Sequence, residues 1–160
     1  MKLARAVHFD ESDMNVFHLP ARTGEWCISG GFEFSNWTDA DLTGKSKQAF
    51  SNGWLGIETF GRVTFVAVTQ VEPSEFDALT NALASHFVDV YGAPSIEAAL
   101  PVAVEELRQM SALCEDQESN TVLAVSRELT DAGVKESYRA IAPQDASLDQ
   151  FAIHGSLDEE

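Results

Sequence analysis

Basic residues are scarce in this sequence. Its 160 residues contain ten lysines and arginines against 26 aspartates and glutamates, which gives a formal net charge of -16. Nucleic-acid phosphates and anionic membrane surfaces are bound through basic side chains, so this charge argues against DNA, RNA and membranes as partners. A basic protein or a cationic ligand remains electrostatically permitted, and the high net charge favours a soluble protein.

Long apolar runs and signal-peptide features are also missing. No stretch approaches the ~18 apolar residues of a membrane span. The start of the chain alternates in polarity instead of forming an apolar core. The two cysteines, Cys27 and Cys114, lie far apart, and without secretion two free thiols are expected. These observations predict a cytoplasmic protein.

Motifs for metals, cofactors and catalysis are absent from the sequence. Its four histidines show no ligand spacing; they are His8, His18, His86 and His154. There is no Asp-x-Asp-x-Asp-Gly calcium loop and no Gly-x-Gly-x-x-Gly dinucleotide motif. Cys27 falls on the polar side of its predicted strand, but no base lies near it in sequence to activate the thiol. We therefore predict no metal, no cofactor and no catalytic residue, which favours a non-enzymatic protein.

The first half of the chain is rich in strand patterns. Alternating or β-branched segments predict strands near residues 3–9, 16–19, 25–34, 54–60 and 62–71. Gly30 and Gly31 interrupt the third segment, which predicts a bulge or a close backbone approach. Residues 39–52 have helical character, and Gly53 is expected to end that helix.

Two amphipathic helices follow the strands. Apolar residues spaced by three and four predict the first over residues 73–91, with Pro73 in its first turn and Gly92 after its end. Its stripe consists of Phe76, Leu79, Leu83, Phe87 and Val90. Ser95 is the expected N-cap of the second helix, and Pro101 is predicted to break or kink it, which gives a short turn followed by a longer helix.

A β-hairpin ends the patterned part of the chain. Residues 121–129 and 134–141 flank a Thr-Asp-Ala-Gly turn, and charges of both signs are predicted to pair on the exposed face of the hairpin. These charges are Arg127, Glu128, Lys135, Glu136 and Arg139. Beyond Pro143 the chain contains five acids and no lysine or arginine, which predicts an acidic C-terminal tail or strap over residues 144–160.

Together these elements predict one α+β domain over residues 1–143. The strands follow one another through short connections, so the sheet should be largely antiparallel. Two main amphipathic helices should cover one face of it, which gives a two-layer sandwich.

A candidate ligand site lies within residues 43–65, where the local charge is reversed. Between residues 42 and 71 the sole acid is Glu58, while Lys45, Lys47 and Arg62 are basic. Glycines in this stretch allow a close approach and aromatic residues supply walls. The predicted binding residues for an anionic small molecule or an acidic peptide are Lys45, Lys47, Trp54, Phe60 and Arg62. In this hypothesis the lysines hold the anion and Trp54 stacks on the ligand; the alternative is that these residues only pack a sheet corner.

The segment Thr43-Gly44-Lys45-Ser46 looks like the end of a phosphate-binding P-loop. That motif needs a glycine five residues before Gly44, where this chain has Asp39. It also needs a preceding buried strand, but the preceding residues are polar. We interpret the segment as an exposed helical turn.

Several short segments together show a family resemblance. They are Met1-Lys2-Leu3-Ala4-Arg5, Gly24-Glu25-Trp26-Cys27-Ile28-Ser29-Gly30-Gly31-Phe32, Leu42-Thr43-Gly44-Lys45, Gly53-Trp54-Leu55-Gly56, Phe60-Gly61, Tyr91-Gly92-Ala93-Pro94 and Leu113-Cys114. The chain resembles a family of short uncharacterised proteobacterial proteins, a domain of unknown function that spans nearly its whole length. The resemblance implies no assigned activity and no catalytic residue. It associates the chain with accessory factors for the assembly of molybdenum-dependent formate dehydrogenases.

Three functional hypotheses follow. The first is a non-enzymatic accessory or interaction domain that binds a protein partner or forms a homodimer. The second is a small-molecule site, sensory or enzymatic, built from residues 43–65. The third, an accessory role in molybdenum enzyme assembly, rests on the resemblance alone.

Overall fold

The fold combines short strands in the first half of the chain with longer elements in the second. The computed structural model describes residues 1–9 and 13–141. In chain order the strands are β1 (Lys2–Val7), β2 (Trp26–Ile28), β3 (Trp54–Gly56), β4 (Arg62–Val63), β5 (Phe65–Gln70), β6 (Val122–Thr130) and β7 (Gly133–Ile141). The helices are α1 (Asp13–Val16), α2 (Gly44–Asn52), α3 (Pro73–Tyr91) and α4 (Ile96–Glu115), and 3-10 turns cover Gly31–Phe34 and Asp39–Asp41. The predicted tail over residues 144–160 and the boundary before it lie outside the described residues.

The described strands form one antiparallel sheet. Its strand order is β4-β3-β2-β1-β5-β6-β7. The sheet is curled, because Trp54 of β3 stacks on Tyr138 of β7 with ring centroids 5.8 Å apart although four strands separate them. The predicted α+β class with a largely antiparallel sheet is confirmed.

Helix α3 covers the residues predicted for it, and the reasons are local. Pro73 lies in its first turn, Glu72 and Glu75 form a capping box, and Gly92 ends the helix with a φ of 74°. α3 packs on α4, and α4 lies against β1 and β2. The predicted apolar stripe of α3 includes one residue too many at its C-terminal end, because Val90 is 62% exposed.

Helix α4 is continuous, so the predicted break at Pro101 is wrong. The Ser95 side chain accepts the N–H of Ala98 at 3.1 Å and caps the helix as expected. Pro101 is exposed near the start of the helix, where its missing N–H removes a single intrahelical hydrogen bond. The buried stripe beyond it consists of Ala103, Leu107, Met110 and Cys114. Burial of this stripe outweighs the local cost of the proline.

No single helix in the described part of the chain is long and apolar enough to cross a membrane. α3 and α4, which are bent by 118° at the break between them, meet the length and composition requirements only when they are taken together.

Several predicted strands differ from the structure. The strand predicted over residues 54–60 ends at Gly56, and the one predicted over residues 62–71 is divided into β4 and β5. Residues 16–19 form no strand, because α1 ends at Val16 and irregular chain follows. The third predicted strand stops at Ile28, because Gly30 has a φ of 72° and turns the chain into a 3-10 turn. The predicted close approach at Gly30 is confirmed: a Cβ there would lie 2.4 Å from the Cβ of Leu55.

The polar faces predicted for Cys27 and Arg127 are wrong. Cys27 is fully buried, because β2 packs on both of its faces. Arg127 does pair with Glu136 across the hairpin, but on the face that contacts α2, where its side chain is 0% exposed. The register partners Glu128 and Lys135 are exposed, and so is Arg139.

Candidate ligand-binding cleft

Two buried arginines lie side by side where the two ends of the curled sheet approach each other. Arg62 of β4 has 6% of its side chain exposed, and Arg127 of β6 has 0%. Both guanidinium groups donate hydrogen bonds to the main-chain oxygens of Ser29 and Gly53. Both also lie over the ring of Phe34, at 4.6 and 5.1 Å from its centroid. Carbonyl oxygens and a ring face thus solvate two buried positive charges.

Arg127 caps the C-terminal end of α2. Its Nη1 donates to the carbonyl oxygens of Phe50 and Gly53 at 2.9 Å each. Carbonyls at a helix end lack intrahelical partners, and a cation there also complements the helix dipole. The Nε of Arg127 donates to Glu136 at 2.6 Å. Burial alone would raise the pKa of Glu136, but hydrogen bonds from Tyr138 and Arg127 outweigh it and hold that pKa below its usual value.

Arg62 is held by main-chain oxygens on one side and by one carboxylate on the other. Its Nη1 donates to Gly53 at 3.0 Å and to Ser29 at 3.3 Å, and its Nη2 donates to Gly30 at 3.1 Å. Nη2 also forms an ion pair with Glu33, whose side chain is 40% exposed. Burial lowers the pKa of Arg62 and the charge of Glu33 raises it, and a guanidinium keeps its proton at physiological pH.

A cleft of about 180 Å³ is lined by Arg62. Its aromatic walls are Phe17, Phe34, Trp37 and Phe60. The polar lining includes Glu33, His18 and Ser46 of α2. A concave, mostly aromatic space with a few convergent polar groups is typical of a small-molecule site.

A buried carboxylate fixes the loop that brings Phe60 to this cleft. Glu25 is 4% exposed and accepts the N–H groups of Glu58 and Thr59 at 2.8 and 2.6 Å. It also accepts the Thr59 hydroxyl at 3.0 Å and the Arg22 N–H at 2.8 Å. The loop then places Phe60 at a φ of 58°, a value that costs energy for a residue with a side chain. The hydrogen bonds to Glu25 offset this strain.

The Phe60 ring is held from its other side by α3. It stacks on His86 with ring centroids 3.7 Å apart and an interplanar angle of 2°. Burial lowers the pKa of His86, although the charges of Glu33 and Asp89 act in the opposite direction. The cleft wall at Phe60 is therefore a preformed part of the fold.

The structure brings two of the predicted binding residues together and separates the others. Phe60 and Arg62 both line the cleft. Lys45 and Lys47 are exposed on either side of Ser46 in α2. Of these three residues, Ser46 alone lines the cleft. The two lysines are therefore solvated, as expected from the interpretation of this segment as an exposed helical turn.

Trp54 lies in the core. It is fully buried, and its Nε1 donates to the carbonyl oxygen of Leu123 at 3.2 Å. Its ring also stacks on Tyr138, so no face of the ring is open to a ligand from solvent. The predicted stacking role of Trp54 is corrected to core packing, because β7 covers the tryptophan when the sheet curls.

Four residues of this region were missed by sequence reasoning. They are Glu25, Glu33, Trp37 and Arg127. Three of them precede the segment 43–65, and Arg127 comes from the distant hairpin. One signal was available: Arg127 occupies the same parity as Leu123 and Val125, which are buried. A charged residue that shares the buried face of a strand with apolar residues indicates a buried ionic group.

A second cleft, of about 290 Å³, is larger, and the charged residues in its described lining are acidic. Its polar lining includes Glu106 of α4 and Glu136 of β7. Burial, followed by the charge of Glu136, raises the pKa of Glu106. No basic side chain lines this cleft in the described part of the chain, so an anion would meet only negative charge there.

Neither cysteine has an activated thiol. Burial and the charge of Glu25 raise the pKa of Cys27 well above its usual value, and burial raises the pKa of Cys114 to about 12. The reactive form of cysteine is the thiolate, which both sites disfavour. Within residues 1–9 and 13–141, no group of three or more His, Cys, Asp or Glu residues could hold a metal ion.

Comparison with known proteins identifies a family without an assigned activity. The model of a family of unknown function, DUF6505, matches residues 1–159. No curated protein and no solved structure matches the chain significantly. The family match covers nearly the whole chain, as the resemblance in the sequence implied. It says nothing of taxonomic origin or of molybdenum enzymes, so both stay predictions.

Proposed function

The chain belongs to this family of unknown function, and from its geometry we propose that the protein binds a small organic anion in the cleft at Arg62. The observation that supports the proposal is a buried cation, fixed by main-chain oxygens, in the lining of an aromatic-walled cleft. In such a low-dielectric place, a charge-assisted hydrogen bond is stronger than at the surface. The aromatic walls add apolar contact area.

The cleft favours a small ligand with a flat apolar part. Its volume of about 180 Å³ is below the ~300–1,000 Å³ of sites for drug-sized molecules. Ring walls on several sides suit a planar group. A single ring that carries one anionic group meets both conditions.

Benzoate is expected to bind to this cleft. A ligand of this size should have a dissociation constant on the order of a millimolar or below. Binding should change the tryptophan emission, because Trp37 lines the cleft. Phenyltrimethylammonium carries the same ring with a positive charge and should not bind. Ser46→Phe, which fills the cleft, should abolish the benzoate signal.

The matched control for Ser46→Phe is Gln48→Phe. Gln48 lies on the exposed side of the same helix, so the same ring is added outside the cleft. A native mass spectrum of the gently purified protein would add an independent readout, since a bound ligand adds mass that denaturation removes. Flat emission with benzoate and with inorganic phosphate, together with a bare native mass, would count against the proposal. So would benzoate binding that survives Ser46→Phe.

A second candidate function is self-association through the edge strand β7. Within the described residues β7 pairs with β6 alone, and most of its nine residues are exposed. An edge strand presents unpaired N–H and C=O groups, which can pair with the same edge of a second copy around a twofold axis.

Hydrogen exchange at two protein concentrations would test this candidate. Light scattering would report the change from monomer to dimer at the higher concentration. The β7 amides should then exchange more slowly, while the exchange rates of amides on the exposed face of α3 should be unchanged. A dimer in which the β7 amides exchange as fast as in the monomer would exclude this edge as the contact.

A further inference from the structure

We infer that Glu33 occupies the position that a carboxylate of the ligand takes when it binds to Arg62. This inference rests on the proposed function, because it concerns the same cleft. It narrows the ligand to a small aromatic monocarboxylate and makes Glu33 an internal competitor for the site.

The two partners of the Arg62–Glu33 ion pair differ in how firmly they are held. The Arg62 side chain is 6% exposed, donates to three main-chain oxygens and lies over Phe34. The Glu33 side chain is 40% exposed, and its position is on a 3-10 turn of four residues. Ordering a long, half-exposed side chain costs entropy, and solvent screens its ion pair. Glu33 can therefore leave while Arg62 stays.

Departure of Glu33 leaves one N–H of Arg62 Nη2 without an acceptor, while the other bonds of Nη1 and Nη2 to main-chain oxygens hold the guanidinium in place. A ligand carboxylate can accept this N–H in a charge-assisted hydrogen bond, as the Glu33 carboxylate does. A ligand carboxylate would replace Glu33 without any change in the net charge of the cation site.

The other residues that line the cleft determine the charge and the shape of the rest of the ligand. Among the residues that the structure describes, Arg62 is the sole lysine or arginine that lines the cleft, so one anionic group can be neutralised there. A second anionic group on the ligand would remain near Glu33 or in the field of a chain with a net charge of -16. The walls formed by Phe17, Trp37 and Phe60 then contact the ring. A ligand with a single carboxylate and a single ring fits this lining.

Glu33→Gln tests the competition directly. The substitution keeps the size of the side chain and removes its charge at an exposed position, so the fold should be retained. Benzoate should then bind about fivefold more tightly than to the unsubstituted protein, the factor expected from loss of a half-exposed ion pair. Tryptophan emission and amide chemical shifts around the cleft would both report the titration.

The matched control is Asp39→Asn. Asp39 is exposed and two residues from Trp37, so this variant removes one negative charge near the cleft without touching the Arg62 pair. Tighter benzoate binding by Glu33→Gln than by Asp39→Asn supports the competition. Equal affinities in the two variants, or weaker binding by Glu33→Gln, would overturn it while leaving the proposed function intact. Absence of benzoate binding in all three proteins would instead reject the proposed function.

Discussion

Replacing Arg127 by methionine is expected to lower the free energy of unfolding by about 3 kcal/mol. The substitution keeps much of the apolar stem but removes the group that caps α2 and pairs with Glu136. The carbonyl oxygen of Phe50 then loses its donor, and Glu136 loses the cation at 2.6 Å. Relief of the repulsion between Arg127 and Arg62 offsets only part of this loss, because Arg62 already has its own carbonyl and carboxylate partners.

Urea denaturation followed by far-UV circular dichroism would measure the effect. Arg139→Met is the matched control, because Arg139 is exposed on the neighbouring strand β7, and surface substitutions of this kind change stability by about 0.5 kcal/mol or less. Glu136→Gln should recover part of the loss when it is added to Arg127→Met, since it removes the unpaired carboxylate. Equal stabilities of Arg127→Met and Arg139→Met would show that the buried arginine does not hold α2 in place.

The elements that could be predicted are those specified by neighbouring residues. Pro73 and Gly92 mark the two ends of α3, and the Ser95 cap marks the start of α4. The hairpin of β6 and β7 follows from a turn that ends at Gly133, whose φ is 114°. Each of these signals acts within a few residues, so the sequence contains all the information that is needed to read them.

The predictions that failed depend on contacts distant in sequence. Whether Cys27 and Arg127 face solvent is decided by helices distant in sequence, since α4 packs on β2 and α2 packs on β6. The curling of the sheet covers Trp54 with Tyr138. Alternation within one strand says which residues share a face, but it does not say whether that face is covered.

Only the part of the cleft that comes from one short segment could be predicted from the sequence. Arg62 and Phe60 were found because the charge reverses and aromatic residues cluster within one short segment. Trp37 and Glu33 come from the turns before α2, and the fold alone brings them to the same cleft. The lysines of α2 share the segment but point elsewhere, since neighbouring positions on a helix lie on different faces.

Glu25→Ala is expected to cost about 3 kcal/mol of stability, because it leaves several buried donors without an acceptor. The carboxylate of Glu25 accepts the N–H groups of Glu58, Thr59 and Arg22 together with the Thr59 hydroxyl. It fits closely against Gly56, where a Cβ would lie 2.3 Å from its Oε1. Removal of the carboxylate leaves a polar space that water can enter.

Glu58→Ala is the matched control for this prediction. Glu58 lies in the same loop, and its carboxylate pairs with Arg22 at 2.6 Å, but the two side chains are 61% and 67% exposed. Its loss should therefore cost less than about 1 kcal/mol.

Denaturant unfolding gives the free energies of unfolding of the two variants. Benzoate titration gives a second readout, because the loop places Phe60 in the cleft wall. Glu25→Ala should weaken benzoate binding even where the protein remains folded, whereas Glu58→Ala should leave it unchanged. Similar stability losses in both variants would mean that the loop is held by its other contacts, such as the stack of Phe60 on His86.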